Sequence, residues 1–364
     1  MANLKNNFHS KKLHLLSLAF EQAKINLGST KKNPSVGCIV EKNGAVISSA
    51  CTSTNGRPHA EFNALNKNKD FKNSNIYVTL EPCSHYGVTP PCTNIIIKKK
   101  IKRVFYSAFD PDIRSKNRSK YILKKKRIFI KGSLLKNNGL DFYKSYYLQH
   151  TPDLPLIDAK IAISKDYFTK NIKNKWITNP ESRKRTHLIR SMYDCLISTS
   201  KSINHDNSLL DCRIEGLEKK SPDLIILDRK LKLKKNLKLF KNTKNRKILL
   251  FTSIKNTKKI SFFKKKGIKV INISPLNNKN DFKKLFFILK KKGYSRLFIE
   301  SGLTFLNFMI KNNFLKNIYV FKSGIKLKKI GINYSSASII KKIKLKNSIN
   351  VNLFGDRLYK EKLK

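Results

Sequence analysis

A chain of 364 residues exceeds the usual size of one domain, and a hydrophobic fraction of 40% is enough to bury cores in two or three. Lys and Arg number 78 against 23 Asp and Glu, a formal net charge of +55. The lysines recur in every segment among Asn, Ile, Phe and Tyr, as at Lys98-Lys99-Lys100 and Lys264-Lys265-Lys266, so they mark no basic face and argue against nucleic acid as the selected partner.

Six cysteines are too sparse for a disulfide framework at this length, which predicts a reducing, cytoplasmic setting. Cys38, Cys195 and Cys212 lie in apolar runs and read as core thiols, with Cys51 similar. No apolar run reaches the roughly 18 residues of a membrane span. The segment LHLLSLAF near the N-terminus is too short and too closely flanked by charge for a secretory signal.

In chain order, residues 10–27 carry Leu13, Leu16, Phe20 and Ala23 on one face of an amphipathic helix. Residues 36–41 and 45–50 predict two strands joined by a hairpin turn at Asn43-Gly44. A helix is expected from His59 through Leu65. Asn75–Leu80 predicts an apolar strand leading into Glu81-Pro82-Cys83, with Cys83 opening a helix that continues through residues 95–100. Arg103–Ala108 is the next strand. A hairpin followed by helix–strand units predicts an α/β sandwich, whose sites commonly lie beyond the strand ends.

The chemistry concentrates between His59 and Cys92. His59-Ala60-Glu61 is followed by Pro82-Cys83 and then Cys92. One imidazole and two thiolates make three ligands of a tetrahedral Zn²⁺ with the fourth position open, as in catalytic zinc sites. Zinc brings the pKa of its water toward neutrality, and Glu61 is the candidate to move that water's protons. An H-x-E followed by P-C is the zinc-deaminase signature, although eight residues separate these cysteines where the common form has two.

The stretch Glu81-Pro82-Cys83-Ser84-His85-Tyr86-Gly87, continued by Thr89-Pro90-Pro91-Cys92, resembles the deaminase half of the bifunctional riboflavin biosynthesis deaminase-reductases. Asn33-Pro34-Ser35-Val36-Gly37-Cys38 resembles that family's NP-x-VGC segment, where the Asn reads the pyrimidine edge. Gly56 to Glu61 resembles its G-x-PHAE, and Asp110-Pro111-Asp112 its DPNP turn.

The resemblance implies a cytidine-deaminase-like α/β/α sandwich over residues 1–149 and a dihydrofolate-reductase-like α/β domain over residues 150–364. It implies zinc-dependent deamination of a phosphoribosylated diaminopyrimidine, then NADPH-dependent reduction of its ribosyl group to ribityl. A homo-oligomer acting on a small phosphorylated pyrimidine is expected. Three features depart from the family. Val88 stands where it carries Lys or Arg at a position associated with the substrate phosphate, with Lys116 or Arg118 as candidate replacements. Thr52 replaces a histidine, and Ile113 to Lys120 lacks the glycines that follow the turn.

A boundary is expected near residues 147–156, where two prolines interrupt the pattern. Beyond it, Lys160-Ile161-Ala162 and residues 195–198, 223–228, 248–252, 269–273 and 296–299 read as strands, the last four buried. Helices at 180–191 and 281–292 alternate with them, predicting a doubly wound α/β domain. Such domains often bind nucleotides at the strand ends.

Here Lys175-Trp176-Ile177-Thr178 resembles the family's reductase WIT segment, Arg183 and Arg190 its helix arginines, and Ser202, Asp206 and Asn207 its Asp-Asn-Pro stretch. Ile299-Glu300-Ser301-Gly302 resembles its VEGG turn, where backbone meets cofactor phosphate at a helix N-terminus. The resemblance implies cofactor contacts from Lys160, Trp176, Ser202, Asp206 and Gly302. It implies substrate contacts from Asn33 in the first half and from Asn174, Arg190, Leu210, Arg213 and Glu300 in the second. Tyr167 takes a glycine position, where a positive φ would strain it. Ser208 replaces a proline, Ser301 a glycine, and Lys322-Ser323-Gly324 the APKL-G stretch. The alternatives are a deaminase whose second half is reduced to a structural module, or a deaminase of nucleic-acid bases.

Overall fold

A computed structural model describes residues 2–174 and 176–363, without the side chains of residues 2–9 and Asn242. Lys175 of the WIT segment lies outside the described residues. The chain divides into two compact units, Met1–Asp153 and Leu154–Lys364.

The first unit runs α1 (Ala2–Ile25), β1 (Gly37–Lys42), β2 (Ala45–Cys51), α2 (Ala60–Leu65), β3 (Asn75–Leu80), α3 (Cys92–Lys98), β4 (Arg103–Ala108), α4 (Arg118–Lys125), β5 (Phe129–Lys131), α5 (Lys136–Phe142) and α6 (Lys144–Gln149). Its sheet has the order β2-β1-β3-β4-β5. The hairpin β1–β2 and the pair β1–β3 are antiparallel, and β3, β4 and β5 are parallel. Asn43 and Gly44 both take positive φ, 50° and 91°, which closes the two-residue turn. Successive residues of β1 and β3 are buried, so helices cover both faces of the sheet. A Cβ on Gly37 would lie 1.8 Å from the Ala19 carbonyl oxygen; glycine there lets α1 seat directly on β1.

Three details differ from expectation. The first helix begins at Ala2 rather than residue 10, since no Gly or Pro interrupts the preceding turns. Cys83 does not open a helix: Pro90 and Pro91 delay helix formation until Cys92, and residues 81–91 form a loop. Cys51 is half-buried, and Asn26 Nδ2 donates to its sulfur at 3.4 Å, whereas Cys38, Cys195 and Cys212 are core thiols.

The second unit runs β6 (Leu156–Ile163), β7 (Lys170–Asn171), α7 (Pro180–Arg190), β8 (Cys195–Thr199), α8 (Ser200–Asp206), β9 (Asp223–Leu227), β10 (Ile248–Thr252), α9 (Thr257–Lys265), β11 (Lys269–Asn272), α10 (Lys279–Lys291), β12 (Arg296–Glu300), α11 (Leu303–Lys311), β13 (Asn317–Lys322), β14 (Gly331–Ile332), α12 (Ser338–Lys342) and β15 (Arg357–Lys362). The large sheet has the order β11-β10-β9-β8-β12-β6-β13-β15 and is parallel up to β15, which runs antiparallel to β13.

Alternate strand residues feed two cores. Ile197, Ile225, Leu249 and Phe251 face one, while Leu196, Leu224, Ile226 and Leu250 face the other. That is why these strands read as continuous apolar runs. β11 is the exception: as the edge strand beside β10 it is exposed at both ends rather than buried. Strand order doubles back around β12, which lies between β6 and β8, and open α/β sheets bind ligands beyond the C-terminal strand ends at such a point.

Candidate metal centre and reductase cleft

In the first unit, His59 is the N-cap of α2, with extended φ and ψ, and Cys92 is the first residue of α3. Cys83 comes from the loop after β3. Their ligand atoms all lie within 4.8 Å of one another. His59 Nδ1 is 3.5 Å from Cys83 Sγ and 3.4 Å from Cys92 Sγ. Zn–N and Zn–S bonds of about 2.0 and 2.3 Å set a tetrahedral N···S edge of roughly 3.5 Å, so the donor set fits zinc. The Cys92 amide donates to Cys83 Sγ at 3.2 Å, which favours a thiolate there. Hydrogen bonds from Cys92 and then from His59 outweigh burial and draw the Cys83 thiol down to about 4. Cys92, facing that thiolate and buried, is pushed up.

Glu61 follows in the first turn of α2 and is 3% exposed. Burial, then the Cys83 charge, push it up to about 7, and it shares a hydrogen bond with the Cys92 thiol. A carboxyl poised near neutrality can take and return a proton. Asn33 Nδ2 donates to the Gly56 carbonyl at 2.8 Å. Gly56 takes φ of 89°, and a Cβ there would strike Asn33. Thr52, in the histidine position, accepts from the Val36 amide at 3.0 Å and joins two parts of the scaffold.

The second unit brings several expected residues to the ends of β6, β8 and β12. Lys160 and Glu300 are register partners on β6 and β12. Burial lowers the Lys160 pKa, against the attraction of Glu300 and Asp206. Arg190 is forked onto Glu300, and its Nη1 donates to the Asp211 carbonyl at 2.9 Å. Arg213 pairs with the Asp211 carboxylate at 2.9 Å and contacts His187 Nε2 at 3.3 Å, leaving its side chain 53% exposed. Nearby, the hydroxyls of Thr199, Ser202 and Ser301 lie 3.1 Å from one another, and Gly302, the N-cap of α11, donates its amide to Ser202 Oγ.

Three expected residues stand differently. Leu210 buries its side chain in the core and gives its carbonyl to Arg246 Nη1 at 2.6 Å, so it offers a ligand backbone only. Asn174 is exposed, with its amide donated to Asn171 Oδ1. Trp176 is 55% exposed beneath the Arg183 guanidinium, 4.8 Å from its ring. Sequence reading missed His187, Asp211 and Thr199. His187 lies three residues before Arg190 on one helix face, and Thr199 is an N-cap residue before α8, so both left a spacing signal.

A metal-fitting His-Cys-Cys cluster beside a buried glutamate, joined in one chain to a doubly wound unit with a polar cleft at its strand ends, defines a zinc deaminase fused to a nucleotide-dependent reductase. Residues 9–108 match the cytidine and deoxycytidylate deaminase zinc-binding region, and residues 155–323 match the RibD C-terminal domain. The riboflavin biosynthesis protein RibD of Aquifex aeolicus is 31% identical over 342 residues, covering 91% of this chain and 94% of the relative. That of Buchnera aphidicola subsp. Baizongia pistaciae is 29% identical over 329 residues, 87% of each. Among solved structures, Acinetobacter baumannii RibD, form 1, superposes with a TM-score of 0.80 at 22% identity over 97% of this chain and 98% of that one. The Thermotoga maritima deaminase/reductase gives 0.81 at 24% identity, over 98% and 99%.

The chain belongs to the RibD family of riboflavin biosynthesis proteins. It is a bifunctional enzyme, a deaminase that uses zinc and a reductase that uses NADPH.

Proposed function

We infer that the deaminase acts on 2,5-diamino-6-(5-phosphoribosylamino)pyrimidin-4-one, and that the reductase then converts the ribosyl group of the product to ribityl. The convergence of His59 Nδ1, Cys83 Sγ and Cys92 Sγ beside buried Glu61 carries this reading. The Thermotoga maritima protein, which shares the fold, is named a diaminohydroxyphosphoribosylaminopyrimidine deaminase and 5-amino-6-(5-phosphoribosylamino)uracil reductase.

In this reading His59, Cys83 and Cys92 hold the zinc, which supplies a hydroxide nucleophile at neutral pH. Glu61 would carry two protons in turn, the first from the attacking water to the ring nitrogen and the second from the hydroxyl so added at the ring carbon to the departing amine, which leaves as ammonia. Asn33, with its amide nitrogen committed to Gly56, presents Oδ1 to the pyrimidine edge. In the second unit Lys160, Trp176, Ser202, Asp206 and Gly302 hold and orient NADPH, whose own chemistry is hydride transfer. Asn174, the Leu210 backbone, Arg213 and the Arg190–Glu300 pair face the substrate. Of the two arginines, half-exposed Arg213 is better placed to meet a phosphate. The reading extends to a cytoplasmic setting, supported by six free cysteines, and to the absence of a nucleic-acid partner, supported by charge scattered through every segment; a homo-oligomer rests on the family resemblance alone.

A coupled assay on the purified full chain tests it, with ammonia release and NADPH oxidation followed separately. Glu61→Gln lowers ammonia release by at least about a hundredfold and leaves reduction of supplied deaminated intermediate intact. Asp206→Ala does the reverse. Both activities surviving in both variants refutes the residue roles; a wild-type enzyme inert toward this pyrimidine refutes the substrate.

A further inference from the structure

One cation lies against the metal centre without an acid to neutralise it. Arg57 precedes His59 by two residues, is half-buried, and has no carboxylate partner among the described residues. Its Nη1 donates to Thr89 Oγ1 across the loop between the two cysteines. Its Nη2 lies 3.4 Å from where a Gly87 Cβ would project, so the guanidinium faces the same turn. Its charge is close enough to bear on the His59 imidazole.

The other cations of this region are differently placed. Arg114 is forked onto Asp112, at 3.0, 3.2 and 2.5 Å. Lys116 lines a cavity of about 330 Å³ with Asp110, Tyr147 and His150. Arg118 begins α4 on the exposed surface. An arginine aligned through one nitrogen keeps further donors for a tetrahedral oxyanion, and a guanidinium fork matches phosphate geometry.

We propose that Arg57, aligned by Thr89, binds the phosphate of the deamination substrate and supplies the charge that Val88 lacks. The proposal rests on the phosphorylated-pyrimidine reading above. Val88 is 87% exposed and adjoins Thr89, so a cation at position 88 and the Arg57 guanidinium approach the same turn. Neither Lys116 nor Arg118 is then needed.

The test measures ammonia release by the full-length, zinc-loaded enzyme on the phosphorylated pyrimidine and on its dephosphorylated riboside. Arg57→Gln raises KM for the phosphorylated substrate by about tenfold to a hundredfold, the worth of a charge-assisted contact, while kcat changes far less. The loss is confined to the phosphorylated substrate, and inorganic phosphate, an inhibitor of the wild type, no longer competes. Adding Val88→Arg to Arg57→Gln recovers phosphate discrimination. Val88→Arg in the otherwise unaltered chain, where nothing is removed, lowers KM for the phosphorylated substrate several-fold. An equal loss on both substrates, or none on either, overturns the proposal. Failure of the wild type to deaminate the phosphorylated pyrimidine instead overturns the underlying reading, and this proposal with it.

Discussion

Arg190 and Glu300 meet as a buried two-pronged ion pair, Nε to Oε1 at 2.5 Å and Nη2 to Oε2 at 2.9 Å, with side chains 11% and 9% exposed. Burial alone would raise the Glu300 pKa; the Arg190 charge outweighs it and holds the carboxyl below its ordinary range. The pair's stabilising contribution is therefore present above the unfolded carboxylate pKa and is lost as pH falls through the lower folded value. Removing one partner strands the other charge. Arg190→Met should cost about 3–5 kcal/mol in urea unfolding of the reductase unit, and Arg190→Met with Glu300→Leu should recover most of that. A double variant as unstable as the single one would show that the fork is not what tolerates the buried charge.

Asp110 presents the opposite sign. Its Oδ1 accepts from the Tyr146 hydroxyl at 3.1 Å and the Asp112 amide at 3.0 Å. Burial, with smaller contributions from the Asp112 and Glu81 charges, pushes it up to about 6. The unfolded carboxyl titrates near 4, so between the two values the folded state binds more protons and stability falls as pH rises. Asp110→Asn keeps the accepting oxygen and removes the charge. It should stabilise the deaminase unit by about 2 kcal/mol at pH 7.5 and leave it little changed near pH 4. An equal effect at both pH values would mean the carboxyl is not the titrating group.

The parts of this fold written in the sequence are those set by local rules. The hairpin at Asn43-Gly44 and the strands Asn75–Leu80 and Arg103–Ala108 follow from turn chemistry and apolar runs. The metal cluster was legible because residue types alone carry it: one histidine and two cysteines in order, with a glutamate two positions on. What was illegible depends on packing. β15 joins the sheet antiparallel to β13 through a register that Arg357–Lys362, where Leu358 and Tyr359 stand among four charged residues, does not announce. The edge position of β11 is a matter of sheet order, and so is its exposure. Likewise the Asp211 and His187 contacts of Arg190 and Arg213 join α7 to a loop more than twenty residues on, a distance at which one sequence gives no pairing signal.

Trp176 offers a direct readout of the second site, because the chain has one tryptophan. Trp176 is 55% exposed, with the Arg183 guanidinium 4.8 Å from its ring. NADPH bound against it should quench tryptophan emission saturably, and Trp176→Phe should remove the signal while weakening cofactor binding by about tenfold, the scale of one aromatic contact. Absence of quenching at saturating cofactor would favour a second unit that serves as structure alone.

Tyr167 occupies a turn that dictates its backbone. The Ser164 amide donates to the Phe168 carbonyl at 2.9 Å, and Ser164 Oγ accepts from the Phe168 amide at the same distance. Asp166 accepts from the Leu327 and Lys328 amides at 3.0 and 2.8 Å, and Asn333 Nδ2 donates to the Tyr167 carbonyl at 3.0 Å. Held on every side, Tyr167 takes φ of 68°, a region that costs a side-chain-bearing residue about 1–2 kcal/mol. Packing of its ring against the core and the Lys322 ammonium, 4.7 Å from the ring, offsets part of this strain. Truncation removes both offsets equally for glycine and alanine, leaving only the backbone to distinguish them. Tyr167→Gly should therefore be more stable than Tyr167→Ala by about 1 kcal/mol, the reverse of their order at ordinary φ. Equilibrium unfolding of the two variants decides it: an alanine as stable as the glycine would mean that the turn relaxes to negative φ, and that the hydrogen bonds from Asn333, Leu327 and Lys328 do not fix it.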